Sequence, residues 1–562
     1  MLRFVPTALL IYYAVLSLAQ TKTHPLTLHQ ANYRVRPGHT VSLAAPTETL
    51  DFVHNAKTRS ARIIVTPAKG LVIMPGKRRD RVLLAASLRM KPGEYAVNVL
   101  AVSPTGEARE ATVHLTVDAL PTVPATAATP PVLLLNGWNF GCLSPSDALS
   151  TFGNSVTDYL GNASAYYFDN CVECPNCSIE DLGNSLGQSL GLITNDDGSD
   201  VAQFDLVSYS MGGLIARAYL SGLQSDGSLA SPVNPRIRKL VEIATPNFGS
   251  FIAATLAPLL PGTQASEMIP GSAFLWGLAR WNQGGDDLRG VDALAIIGNA
   301  GAFNGSPNAS DGLLSLTSAS LGFARDQSRT RILPYCHTDP IPGLDCSGVS
   351  IANFDEAPIT AQIVQSFLAD TPDWASMGTT PSQDPYLSQY GGIFFGQLTA
   401  ADKYVGDFSQ VSFGTVALQA GGAAGSIFYN EFLNGSATFQ ARSASLGTLT
   451  CGPFTEPIGY FVALRCKSPP LILSVGPLLP DASANVVISG GTITITGSGF
   501  GQQCNTCQLT VYPGASPLKA ASWSDQAITA NLPASFNGIA EVVVQTATGS
   551  DAVTFIAAPL SQ

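Results

Sequence analysis

From Val132 to about Asp370 the chain alternates short, wholly apolar runs with stretches of helical periodicity, and that alternation admits few architectures. A strand that is apolar along its whole length is buried on both faces, which a parallel sheet achieves by laying helices over each face between successive strands. The runs at 132–135, 204–208, 240–244, 293–297 and 331–333 are the expected strands. Residues 132–372 are therefore expected to form an α/β domain built on a mostly parallel sheet with helices on both faces.

The remainder of the 562 residues must fold separately, since a single domain averages ~150 residues. Charged residues are only 12% of the chain, and 53 glycines and 38 prolines punctuate it, which excludes coiled coil and charge-driven disorder. A net charge of -11 argues against nucleic acid as a partner, because phosphate affinity rests on Lys and Arg. Residues 20–118 alternate apolar and polar positions between Pro-Gly and Pro-Thr-Gly turns, the pattern of a small β-sandwich. Residues 119–131 are Pro, Thr and Ala, a linker composition. Residues 373–468 are Gly, Ser, Phe and Tyr-rich and read only as β-rich. Residues 469–557 again alternate as strands.

Residues 1–19 form a short apolar run after Met-Leu-Arg and end in Ser17-Leu18-Ala19, a small-x-small cleavage pattern. The run is shorter than the ~20 apolar residues of a membrane span, so a cleaved signal peptide is expected, leaving a secreted, periplasmic or cell-surface protein. Export gives the ten cysteines a role as disulfides. Clustering predicts Cys336 with Cys346, Cys451 with Cys466 and Cys504 with Cys507, and two bridges of unreadable connectivity among Cys142, Cys171, Cys174 and Cys177. A zinc site on Cys171, Cys174 and Cys177 is the weaker alternative, since no histidine is near.

The sharpest local feature is residues 207–219, a strand turning abruptly into a helix with Ser210 at the bend, followed by Met211, Gly212 and Gly213. Such a bend holds a hydroxyl proud of the sheet and needs small flanking residues where strand and helix backbones nearly touch. The usual pattern is G-x-S-x-G, and here Ser208 stands for the first glycine. A serine hydroxyl attacks only when a base takes its proton. Five of the six histidines, at 24, 29, 39, 54 and 114, precede Val132, which leaves His337 as the base. The carboxylate that orients it should lie between serine and histidine in the chain; Asp311 is preferred over Asp286, Asp287, Asp292 and Asp326. Negative charge on a carbonyl oxygen must be met by backbone N–H donors. The amide of Met211 is one, and the amide of Trp138, after the turn Asn136-Gly137, is the other.

Together these residues resemble the secreted bacterial triacylglycerol lipases of the α/β-hydrolase fold, over residues 131–370. Ser210-Met211-Gly212-Gly213, Asp311-Gly312-Leu313-Leu314-Ser315 and His337-Thr338-Asp339 fall in the family's order, and residues 244–250 resemble its Thr-Pro-His-x-Gly-Ser turn with Asn247 for histidine. The resemblance implies a carboxylic ester hydrolase with Ser210, His337 and Asp311 as catalytic residues, Met211 and Trp138 as the oxyanion hole, and lipid or another apolar acyl ester as substrate. In such lipases an aspartate just past the histidine can bind calcium, which singles out Asp339; with no second ligand identifiable, neither metal nor cofactor is expected. The Leu-, Ala- and Pro-rich stretch at 251–288 is where this fold builds a cap, either lining an acyl pocket or packed for stability alone. Residues 469–557 resemble an IPT/TIG domain, an immunoglobulin-like fold, and 20–118 the immunoglobulin-like modules of exported bacterial proteins. By fold analogy these modules serve as spacers or attach the protein to a substrate surface or polysaccharide. The competing reading is an adhesion or binding protein whose hydrolase scaffold is inactive.

Overall fold

The chain was studied as a computed structural model that describes residues 24–26, 28–44, 62–65, 70–75, 81–102, 108–139, 142, 152, 156, 159–160, 164–174, 176–259, 262–281, 288–303, 306–320, 327–338, 346, 348–385, the strands between 392 and 465, 470–478, 486–498, 500–513, 516–546 and 549–559. The expected signal peptide at 1–19, Asp339, the Cys451 with Cys466 pairing, and the rival acids Asp286, Asp287 and Asp326 lie outside the described residues or side chains. Among the described residues no helix is long and apolar enough to cross a membrane.

The α/β alternation folds as an α/β-hydrolase core. Its strands are β1 (Val132–Leu135), β2 (Ala165–Phe168), β3 (Phe204–Tyr209), β4 (Ile237–Ile243), β5 (Asp292–Gly298) and β6 (Thr330–Leu333). They form one sheet in the order β2-β1-β3-β4-β5-β6, every neighbour parallel. The chain steps outward from β1 to β2, then returns to place β3 on the other side of β1. Loops leaving the carboxyl ends of β1 and β3 therefore diverge, and the crevice between them is where open α/β sheets place their sites. β1 and β6 are buried at every position, as strands covered by helices must be. The helices include α1 (Asn170–Glu173), α2 (Ile179–Leu190), α3 (Met211–Ser221), α4 (Phe251–Leu256), α5 (Gln264–Glu267), α6 (Ala273–Trp281), α7 (Leu316–Ala319) and α8 (Pro358–Leu368).

A web of charge holds the amino end of β4 to the end of α8. Arg238 meets Asp205 at 2.5 Å and Asp370 at 2.6 Å, and buried Lys239 also meets Asp370 at 2.6 Å while its ammonium lies 4.4 Å from the centre of the Phe367 ring. Burying the Lys239 stem while pairing its charge meets the main condition for a cation inside a fold.

On the amino-terminal side, strands at 24–117 form a five-stranded and a three-stranded sheet around their own apolar core. That module is joined to the α/β core by more than the chain. Glu173 in α1 is buried and receives the Ser87 hydroxyl at 2.8 Å and the Leu88 amide at 2.6 Å, with Arg89 alongside at 3.4 Å. Burial pushes the Glu173 carboxyl above its usual range against the pull of those donors. Leu88 and Val123 belong to the α/β hydrophobic core, so the Pro- and Thr-rich stretch at 119–131 lies partly docked, with Val123 bridging to Asn195. The strands between 392 and 465 form two four-stranded sheets. Residues 471–558 form a four-stranded and a five-stranded sheet around a third core.

Four disulfides occur among the described residues: Cys142 with Cys171, Cys174 with Cys177, Cys336 with Cys346, and Cys504 with Cys507. The connectivity left open by the sequence is thereby resolved, and Cys171, Cys174 and Cys177 are all engaged as disulfides.

Candidate active site

Ser210 sits between β3 and α3 with φ 53° and ψ -126°, a left-handed backbone that a non-glycine residue holds only where its surroundings impose it. The Ser210 amide donates to the Ile243 carbonyl at 2.8 Å, and α3 begins at once. Small residues make room. A Cβ at Gly212 would lie 2.6 Å from the Leu135 carbonyl oxygen, and one at Gly137 would lie 2.9 Å from the Ser210 Cβ. The second contact also shows that the Asn136–Trp138 turn lies directly over the serine. Ser208, the departure from the usual glycine, is buried and donates its hydroxyl to the Val241 carbonyl at 2.8 Å, so its extra polar atom is satisfied on the neighbouring strand.

His337 follows β6 and Asp311 follows the short hairpin after β5. The His337 Nε2 lies 3.0 Å from the Ser210 Oγ, and its Nδ1 lies 2.8 Å from the Asp311 Oδ2. The other carboxylate oxygen accepts the amides of Leu313 at 2.9 Å and Leu314 at 2.7 Å, which leaves Oδ2 for the imidazole. Asp311 and His337 are almost wholly buried, whereas Ser210 is partly exposed. The main chain of His337 is held from three sides: its amide donates to the Asp311 carbonyl at 2.8 Å, and its carbonyl accepts the Tyr209 hydroxyl at 2.7 Å and the Ser350 hydroxyl at 3.2 Å. The Tyr209 ring lies 5.3 Å from the imidazole, centre to centre, and the adjacent Cys336 bridges to Cys346. Met211 opens α3, where amides have no partner within the helix.

No curated protein matches the chain by sequence. Residues 199–271 match the class 2 lipase family, and residues 470–557 match the IPT/TIG domain. Residues 199–271 are a class 2 lipase region. Among solved structures, the chain is similar to a mature-form lipase of Bacillus licheniformis at 18% identity, covering 44% of this chain and 96% of that one, with a TM-score of 0.32. It is also similar to a thermophilic esterase of the planctomycete Thermogutta terrifontis at 13% identity, covering 44% and 87%, with a TM-score of 0.29. A lipase-esterase related protein of Clostridium acetobutylicum is similar at 13% identity, covering 44% and 97%, with a TM-score of 0.24.

The lipase region contains Ser210 and the turn at Asn247, while Asp311 and His337 come from later in the chain. Asn247 is buried and bridges two charged side chains, accepting from Arg217 at 2.9 Å and donating to Glu242 at 2.8 Å. Glu242 is fully buried, and burial, opposed by the Arg217 charge and the Asn247 bond, pushes its carboxyl up to about 7. The stretch expected as a cap, 251–288, divides in two among its described residues. α6 buries Phe274, Leu275, Trp276, Leu278 and Ala279 in the main core, while the stretch through α4 leaves Leu259 74% exposed. Asp292, a rival acid, begins β5 at the opposite end of the sheet, paired with Arg329 at 2.8 Å.

Three residues that the sequence did not single out bear on this site. Tyr209 is hidden in the variable position of its motif. Asp169 and Asn170 form an acid-amide doublet directly after β2, and that placement at the carboxyl end of a strand beside β1 is the signal that could have flagged them.

Proposed function

We propose that the protein is an exported serine hydrolase that cleaves carboxylic esters of lipid or other apolar acyl groups, with Ser210, His337 and Asp311 as its catalytic residues. The observation that carries this reading is the unbroken run of hydrogen bonds from the Ser210 Oγ through both imidazole nitrogens to the Asp311 carboxylate. His337 Nε2 takes the hydroxyl proton as Oγ attacks the ester carbonyl. Asp311 holds the proton on Nδ1 and stabilises the imidazolium that forms. The oxygen that becomes negative is met by the amides of Met211 and Trp138. When the tetrahedral intermediate collapses, His337 returns the proton to the departing alcohol oxygen and an acyl-Ser210 ester remains. Water then attacks that ester, again giving its proton to His337, and the free acid leaves. The disulfides fit an oxidising compartment, which supports export.

A fluorophosphonate probe should form a covalent adduct with the full chain and none with Ser210→Ala. An undiminished adduct in that variant, or no adduct in either, would return the protein to the binding-module reading. Hydrolysis of a graded series of fatty-acyl esters, with and without an oil-water interface, then separates a lipase from an esterase of short soluble substrates.

A further inference from the structure

The oxyanion turn is clasped from behind by residues that no sequence motif marks. Asn170 is fully buried at the start of α1, and its side-chain Nδ2 donates to the Gly137 carbonyl at 2.7 Å. The carbonyl can only accept, so the amide orientation of Asn170 is fixed by this bond. In return the Asn136 Oδ1 accepts the Asn170 backbone amide at 3.0 Å, and Asn136 Nδ2 approaches Asp169 Oδ1, which also accepts the Cys171 amide at 2.9 Å. Farther along, Cys142 is bonded to Cys171. Both ends of the segment carrying Gly137 and Trp138 are thus anchored to one short helix.

The Gly137–Trp138 peptide is trans, and in a planar trans peptide the carbonyl and the following N–H point in opposite directions. Holding the Gly137 oxygen toward Asn170 therefore turns the Trp138 N–H away from Asn170, while the side of Gly137 where a Cβ would stand faces the Ser210 Cβ. A glycine turn left alone would rotate this peptide with little resistance. We propose that Asn170 is a positioning residue for the reaction: by fixing the Gly137 carbonyl it aims the Trp138 amide at the oxygen that becomes negative. This inference rests on the proposed hydrolase reading and assigns a role within it.

The test uses the full chain, a soluble short-chain p-nitrophenyl ester and a phenylboronic acid, whose adduct with serine imitates the tetrahedral intermediate. Asn170→Asp keeps the size and removes the donor; Asn170→Ala removes the donor without burying a charge, and carries the test if the acidic variant does not fold. Loss of one aligned oxyanion donor should lower kcat by about 100- to 1000-fold, with KM within about twofold, and should weaken boronate binding by the same factor as kcat/KM. Loss of packing alone would not make those two factors track each other. A folded variant with unchanged kcat, or one whose loss lies in KM with boronate affinity retained, overturns the proposal. Ser210→Ala run in parallel keeps the two readings apart: if it still turns over substrate, the hydrolase reading fails, whereas an inert Ser210→Ala beside a fully active Asn170 variant removes only the positioning role.

Discussion

At the scale of single residues, the site is set by contacts too tight to accept an extra carbon. Gly137→Ala would drive a methyl group into the Ser210 Cβ, and since a displacement of about 1 Å can cost ~100-fold in rate, kcat on a soluble ester should fall by that order while the protein still folds. Tyr209→Phe deletes one hydrogen bond to the His337 carbonyl; at ~1 kcal/mol this predicts a kcat loss of about fivefold, checked by steady-state kinetics. Ser208→Gly restores the commoner motif but gives up the bond to Val241, so it should keep activity and lose about 1 kcal/mol of stability in urea unfolding. Ser208 illustrates what one-dimensional reading can and cannot give. Its small size made the bend legible as a bend, but its partner lies on a strand 33 residues away, and nothing local specifies that pairing. The same holds for Asn170, whose role depends on β2 lying beside β1.

Among elements, the strands and the elbow were legible because their residues follow a local rule, wholly apolar runs and small residues at a forced turn. Loop geometry was not, because it depends on which strand ends meet. Two features of the elements lead to measurable behaviour. Glu242 on β4 and Glu267 on α5 both have carboxyls raised to about 7, chiefly by burial. A carboxyl raised in the folded state holds its proton there more tightly than in the unfolded chain, so its contribution to stability is complete below about pH 4.5 and is lost as pH rises through about 7. The urea midpoint of the α/β core should be higher at pH 5 than at pH 8, and Glu242→Gln, which cannot ionise, should reduce that difference. The second feature is the Cys336 with Cys346 bridge, which closes the loop bearing His337 over a separation of 10 residues. Replacing both cysteines with alanine should cost about 2–4 kcal/mol and lower kcat more than it raises KM, because the imidazole loses the covalent support beside it.

Over the whole molecule, the three described cores differ in how far they depend on one another. The IPT/TIG domain encloses its own apolar cluster, and a chain ending before residue 470 should hydrolyse a soluble ester with kcat/KM within about twofold of the full chain. The amino-terminal module is another matter, because Leu88 lies inside the α/β core and Ser87, Leu88 and Arg89 surround buried Glu173. Leu88→Ala should destabilise the α/β core by about 2–5 kcal/mol, read as a shift in its unfolding midpoint, although sequence composition draws the boundary thirty residues later. Composition marks where turns and linkers cluster, and it carries no record of one leucine crossing from a sandwich into a neighbouring sheet.

The order in which the site's parts occur along the chain has a consequence for biogenesis. Trp138 is synthesised first, Ser210 next, then Asp311, and His337 last of all, inside a loop that is sealed only once two thiols meet an oxidant. Domains tend to form from the amino end as the polypeptide emerges, so the β module can be in place to receive α1 long before a base exists for the nucleophile. On the proposed reading, the oxyanion turn, the nucleophile and the acid are all present in the chain before the base that completes the site.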